Sequence, residues 1–232
     1  MGSSTCIADN VKRVRDSIAE ATLRSGRSPG EITLVAASKT QSADSIRQAI
    51  AAGVDATGEN RVQEMLGKHA QGAYSGAPLH FIGNIQSNKA ARIVGVCDLI
   101  ESVDSTALVS QIGRKAVSLG ITQKILIEVN VAGEPQKSGI LPGRISEILE
   151  LAAQTEGIKV LGLMAIPPIS VKNDENCNYF DVMYQLYIDI SEKKYDNVSM
   201  QVLSMGMSDS YTDALLAGSN MVRIGTAIFG RR

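Results

Sequence analysis

Lys39 closes the run Ile32-Thr33-Leu34-Val35-Ala36-Ala37-Ser38-Lys39-Thr40. Small and apolar residues, with one threonine among them, predict a buried strand, and the lysine falls where that strand leaves the core. In α/β chains the carboxyl ends of strands carry the chemistry. An amine placed there has one common use, a Schiff base with a carbonyl compound. The competing reading is a lysine whose stem packs while its ammonium reaches solvent.

A second charge sits in Met221-Val222-Arg223-Ile224. Strand alternation puts Arg223 on one face with Met221, opposite Val222 and Ile224. A charge in so apolar a strand is costly unless paired. Arg223 therefore either contacts an anion or a ring nitrogen, or forms a structural ion pair with Glu59 or Asp104. Two glycine-bearing turns complete the set: Ser204-Met205-Gly206-Met207-Ser208 and Gly225-Thr226. Glycine lets a backbone approach a ligand closely. A helix starting near Ser208 or Thr226 would offer free N–H groups to an anion, and the two hydroxyls add donors. Each turn alone reads as an ordinary strand-to-helix connection. Together, after the seventh and eighth strands, they form the usual phosphate position of a barrel. An imine-forming lysine plus a phosphate seat implies an aldehyde bearing a phosphate. Pyridoxal 5′-phosphate fits, and a sugar-phosphate substrate of a barrel aldolase fits almost as well.

These residues must be positioned by a repeating framework. The N-terminal segment Ile7 to Arg24 has apolar residues at Ile7, Val11, Val14, Ile18, Ala21 and Leu23, near a helical period, and predicts an amphipathic helix. Gly26, Pro29 and Gly30 end it. Strand patterns follow at Ile32–Ala37, weakly at Asp55–Thr57, then at Leu79–Ile82, Leu99–Ser102, Ile125–Val131, Val160–Ile166, Ser199–Leu203 and Met221–Ile224. Helical patterns lie between them at Ala43–Ala52, Arg61–Lys68, Ser87–Val94, Thr106–Leu119, Arg144–Gln154, Cys177–Lys193 and Asp209–Leu216. Such alternation predicts a parallel sheet covered by helices. Eight repeats closing into a (β/α)8 TIM-type barrel need roughly 250 residues, close to the 232 here. An open doubly wound sheet is the alternative, but neither GxGxxG nor GxxxxGK[ST] occurs. The expectation is a single domain over 1–232, with an extra N-terminal helix within 1–27 packed on the barrel. Ser105, Ser208 and Asp104 also read as plain helix caps.

Charge is balanced, with 23 basic and 24 acidic residues, which argues against a nucleic-acid or anionic-membrane surface. Three scattered cysteines (Cys6, Cys97, Cys177) form no CxxC pair, which points to a reducing compartment and a cytoplasmic protein. The two histidines, His69 and His80, lie in no ligand-spaced motif, so no metal site is expected. No long apolar span and no leader pattern is present in the sequence.

The chain resembles the pyridoxal phosphate homeostasis proteins, barrels similar to the N-terminal domain of bacterial alanine racemase. The resemblance covers nearly the whole chain. It rests on residues 34–40, on Gly58-Glu59-Asn60-Arg61-Val62-Gln63-Glu64 and His80-Phe81-Ile82-Gly83-Asn84-Ile85-Gln86-Ser87-Asn88-Lys89, and on Gly162-Leu163-Met164-Ala165-Ile166-Pro167, residues 203–209 and residues 221–230, in the family's order. It implies pyridoxal 5′-phosphate as cofactor, held by Lys39 as a Schiff base. Asn60 would lie beside it, Met205, Gly206, Ser208, Gly225 and Thr226 around its phosphate, and Arg223 against the pyridine nitrogen. Many members have histidine where this chain has Asn84, so a positioning role carries over there and an acid–base role does not.

The resemblance does not carry racemase activity with it. Racemisation needs a proton donor on each face of the reacting carbon, and Lys39 serves one. In alanine racemases the other is a tyrosine from a C-terminal domain. This sequence stops at Arg232, soon after the eighth strand, and the expectation is that no such domain follows. Of the six tyrosines only Tyr211 follows a candidate phosphate turn. Arginine at the ring nitrogen, always protonated and donor only, weakens the ring as an electron sink. The expectation is a cytoplasmic, monomeric carrier of the cofactor that serves apoenzymes, has no catalytic residues of its own and turns amino acids over weakly at most.

Overall fold

The computed structural model describes residues 6–168 and 173–230, with side chains for all of these except 173–178. Eight parallel strands close into a barrel in sequential order: β1 (Thr33–Ala37), β2 (Ala56–Glu59), β3 (Leu79–Phe81), β4 (Leu99–Val103), β5 (Gln123–Val129), β6 (Ile158–Ala165), β7 (Val198–Ser204) and β8 (Met221–Ile224). Closure pairs β1 with β8 and leaves no open edge. The fold is a (β/α)8 barrel of the TIM type.

Helices cover it: α1 (Ile7–Arg24), α2 (Ala43–Ala51), α3 (Val62–His69), α4 (Thr106–Ser118), α5 (Ile145–Ala153), α6 (Asn173–Ser191), α7 (Tyr211–Leu216) and α8 (Thr226–Phe229). The predicted helix at Ser87–Val94 is instead a 3-10 turn over Ser87–Arg92. Its bonds run Lys89 N–H to Gln86 O and Ile93 N–H to Ala90 O, and Gly95 follows too soon for a longer helix. The weakly predicted second strand forms one residue later than expected, ending on a fully buried Glu59.

α1 is the additional element. Its buried stripe, Val11, Val14, Ile18 and Ala21, packs on α2, α7 and α8. Each of the larger side chains stabilises by roughly 1.5–3 kcal/mol. Asn10 Nδ2 donates to Ile228 O at 2.8 Å, and Arg27 Nη1 donates to Ser219 O at 2.8 Å, tying both ends of the helix to the β8 side of the barrel.

The barrel interior has two levels. Val35, Ala56, Leu99, Leu126, Met164 and Met221 form an apolar plug. Above it, toward the carboxyl ends, the inward positions turn polar: Glu101, Glu128, Ser204 and Arg223, all buried. One glycine is mandatory for closure here. Gly162 in β6 has φ +152°, and a Cβ there would stand 1.8 Å from Val202 O, at the point where the β6–β7 register shifts.

Candidate functional site

Lys39 lies two residues beyond the end of β1, exposed at the barrel mouth. No hydrogen bond or ion pair to its amine is present among the described residues. It lines a cavity of about 330 Å³ shared with Ala37, Asn60, Ile82, Asn84, Glu128 and Arg223. Strand alternation explains the set. Val35 pairs with Arg223 and with Ala56, and Ala37 pairs with Gly58, so their side chains share the inward face. Asn60 follows β2 directly, and Gly83 packs against it. A Cβ on Gly83 would stand 2.2 Å from Asn60 O. Asn60 Oδ1 is buried with no hydrogen-bond partner, an acceptor waiting on the cavity wall.

Arg223 forms the floor. Its Nη2 donates to Ala165 O at 2.8 Å, its Nη1 donates to Ser204 Oγ, and Nη1 lies 3.7 Å from Glu101 Oε2. The ion-pair partner is therefore Glu101, not Glu59 or Asp104. Glu59 faces outward under α3 and pairs with Lys68 at 2.7 Å. Ser204 Oγ donates to Glu101 Oε2 at 2.6 Å, and His80 Nδ1 lies 2.7 Å from Glu101 Oε1. Burial alone would push the Glu101 carboxyl up. His80, Arg223 and Ser204 outweigh it and hold the group below its ordinary value. Burial pulls Arg223 down, with Glu101 and Glu128 opposing. Arg223 is thus paired, with an acid other than the two expected, and it also lines the cavity.

Glu128 was not singled out from the sequence. It sits on β5, four strands round from β1, and is 6 % exposed, with no hydrogen bond to its carboxyl among the described residues. Burial, helped by the nearby Asp104 and opposed by Arg223, pushes its carboxyl up to about 7. The alternation argument that exposed Arg223 would have found it and Glu101, because each interrupts an apolar inward face (Leu99, Glu101; Leu126, Glu128).

The two glycine turns meet. Ser208 Oγ accepts from Gly225 N–H and from Ala227 N–H, both at 3.3 Å. An oxygen already rests between two backbone donors where a phosphate oxygen was expected. Ser208 is not the cap of α7, which starts at Tyr211 after Ser210, whereas Ser105 does cap α4 by accepting from Leu108 N–H. Gly206 has φ +95°, and a Cβ there would lie 2.7 Å from Ala214 Cβ. Its carbonyl accepts from Arg223 N–H at 3.1 Å, which links the phosphate turn to the floor residue.

Met205 does not reach the cavity with its side chain. That side chain is fully buried in the core between strands and helices, and Met207 lines the cavity instead, because alternation persists through the turn. Thr226 and Tyr211 line a neighbouring hollow with Asn10 and Arg13, so Tyr211 does not face Lys39. Asn84 Nδ2 donates to Ser138 Oγ, joining the β3 loop to the β5 loop across the mouth. That loop is shaped by Asn130, whose amide donates to Glu134 O at 2.8 Å and to Lys137 O at 3.3 Å. It brings Gln136, Lys137 and Ser138 to the rim, and no sequence pattern marked them.

The described residues fit pyridoxal 5′-phosphate. A reachable amine, an orphaned buried acceptor, a guanidinium floor and a two-donor oxygen seat surround one mouth. No helix among the described residues is long and apolar enough to cross a membrane.

Residues 7–232 match the family described as alanine racemase, N-terminal domain. The pyridoxal phosphate homeostasis protein of Aquifex aeolicus is 38 % identical over 97 % of each chain. That of Escherichia coli K12 is 39 % identical over 97 % of each chain. PipY of Synechococcus elongatus PCC7942, solved with PLP bound, is 34 % identical, with a TM-score of 0.80 over 92 % of this chain and 100 % of PipY. The chain belongs to the pyridoxal phosphate homeostasis protein family, whose barrel is of the alanine racemase N-terminal type.

Proposed function

We propose that this protein binds pyridoxal 5′-phosphate reversibly and acts in the intracellular homeostasis of that cofactor. One observation carries the reading: Lys39, Asn60 and Arg223 share a single cavity at the barrel mouth, beside the seat made by Ser208 and the Gly225-Thr226 turn. The relatives' names and the PLP-bound PipY structure support the choice of cofactor over a sugar phosphate.

When bound, the cofactor supplies an aldehyde that condenses with amines and a ring that draws electrons. Lys39 supplies the amine for a Schiff base. Asn60 Oδ1 has acceptor capacity to spare beside it. Ser208 and the Gly225-Thr226 turn would hold the phosphate, with the Gly225 and Ala227 N–H groups passing from Ser208 Oγ to it; Gly206 lets the preceding turn pack against α7, and Met205 packs that turn from behind. Arg223 donates and does not accept, so it favours a lone pair rather than a proton on a facing ring nitrogen. Glu101 neutralises it from behind. These roles favour a carrier with no catalytic residues.

In this reading the chain works as one barrel unit, as a monomer in the cytoplasm, and passes the cofactor to apoenzymes. Cys6 and Cys97 as free thiols accord with a reducing compartment. A second reading, slow exchange of an amino acid's α-proton, is favoured by Glu128, the one carboxyl on the cavity wall among the described residues, on the strand opposite β1.

The test is the absorption spectrum of the purified protein titrated with pyridoxal 5′-phosphate. A new band should appear, Lys39→Ala should abolish it, and borohydride reduction should place the adduct on Lys39. Full retention of an amino acid's α-deuterium would exclude the second reading. An unmodified Lys39 after reduction would refute the first.

A further inference from the structure

Lys39 owes its direction to its neighbours. No partner holds its amine among the described residues, yet the residues on both sides of it are gripped by one buried charge cluster on β2 and α3. Ser38 O accepts from Lys68 Nζ at 3.0 Å, and Ser38 Oγ donates to Glu59 Oε1 at 2.8 Å. Thr40 N–H donates to Glu64 Oε1. Lys68 Nζ closes the cluster, 2.7 Å from both Glu59 and Glu64, and Tyr74 OH donates to Glu59 Oε1 at 3.0 Å.

Three features set this cluster apart from a stabilising ion pair. Glu59 is fully buried and Lys68 is 7 % exposed, and burying charges this way stabilises less than apolar packing would. Glu59 Oε2 has no hydrogen-bond partner, so the cluster is not even fully satisfied. Thr40 is held at φ +62°, a conformation that a β-branched residue adopts only when its surroundings impose it. In some proteins, buried ionic groups retained at a stability cost specify geometry rather than add stability.

We infer that Glu64 and Lys68 are positioning residues: by fixing the backbone on either side of Lys39, they aim its amine into the cavity. The inference rests on the proposed Schiff-base role of Lys39. It explains why a lysine whose amine has no hydrogen bond or ion pair among the described residues can act as a defined nucleophile, and why α3 carries Glu64 and Lys68 one turn apart. The Glu64 carboxyl stays ionised for the task. Burial pushes it up, but Lys68 and the Thr40 N–H outweigh burial and hold it low.

The test uses the full-length apoprotein and pyridoxal 5′-phosphate, with loading followed by stopped-flow absorbance. Glu64→Ala removes the acceptor for Thr40 N–H, while Glu64→Gln keeps an amide oxygen in its place. Glu64→Ala and Lys68→Met should slow formation of the Lys39 band by about tenfold or more and shift its absorption maximum, since small misplacements of a reacting atom cost rates of this order. Glu64→Gln should restore most of the rate and the native maximum. Should Lys68→Met fail to fold, the Glu64 pair decides alone, because Glu64 lies at the edge of the cluster. Native loading rate and maximum in Glu64→Ala would overturn the inference. So would equal slowing in Ala and Gln accompanied by an equal fall in thermal midpoint. A wild-type protein that forms no Lys39 adduct would instead refute the proposed function itself.

Discussion

Glu128→Gln should stabilise the apoprotein above neutral pH and leave it unchanged in acid. The carboxyl has an ordinary value of 4.5 and is pushed up to about 7 in the fold, chiefly by burial and then by Asp104, with Arg223 opposing. Between those values the unfolded chain has released the proton and the native chain keeps it. Stability therefore falls as pH rises through this window, by about 1.4 kcal/mol per pH unit. Two and a half units amount to about 3 kcal/mol of destabilisation, fully developed above pH 7 and absent below 4.5. Glutamine carries no proton to lose, so the variant escapes that penalty. The charged groups around Glu128 are Asp104 on the end of β4, Arg223 on β8, and Lys39 and Lys137 at the rim. None is altered by the substitution. Urea unfolding at pH 5, 6, 7 and 8 gives the difference between variant and wild type. It should climb from near zero to roughly 2–3 kcal/mol. A difference that stays flat with pH, or one that falls, would refute the claim that burial raises the Glu128 carboxyl.

Glu101→Ala should cost about 3–5 kcal/mol in urea unfolding, because it strands Arg223 in the barrel interior and removes the partner of His80; a loss below ~1 kcal/mol would show that solvent reaches the floor. Gly206→Ala combines φ +95° with a Cβ only 2.7 Å from Ala214 Cβ, so it should lose about 1–3 kcal/mol of stability and cofactor uptake together. Ser208→Ala removes the hydroxyl that would donate to the phosphate at this seat and should weaken pyridoxal 5′-phosphate binding by about tenfold, measured by absorbance titration, with little effect on pyridoxal, which lacks the phosphate.

The strands that read most clearly were those whose apolar runs are buried on both faces, such as β8, whose limits match the pattern residue for residue. β2 was faint because Ala56-Thr57-Gly58-Glu59 has weak strand character, and its carboxylate is tolerable only with Lys68 from α3 beside it. α8 starts at Thr226, one of the two helix starts the turns allowed, but its four residues carry too little periodicity for the sequence to mark its extent. The start of α6 and the chain's first five residues fall outside the described side chains, so the reading of Cys177 there has no structural counterpart.

Local order along the chain determined the barrel, the mouth to which its strand ends converge, and the lysine, arginine and glycine turns displayed there. Those follow from alternation and from the period of each element, which are properties of neighbours in sequence. Partnership was decided only in three dimensions. Arg223 could choose among several acids, and closure of the sheet selected Glu101 by placing β4 and β8 across one interior. The same closure set Glu128 opposite Lys39 and put Lys68 behind it. Charges meet through space at short range, and a linear pattern carries no record of which ones will be brought together.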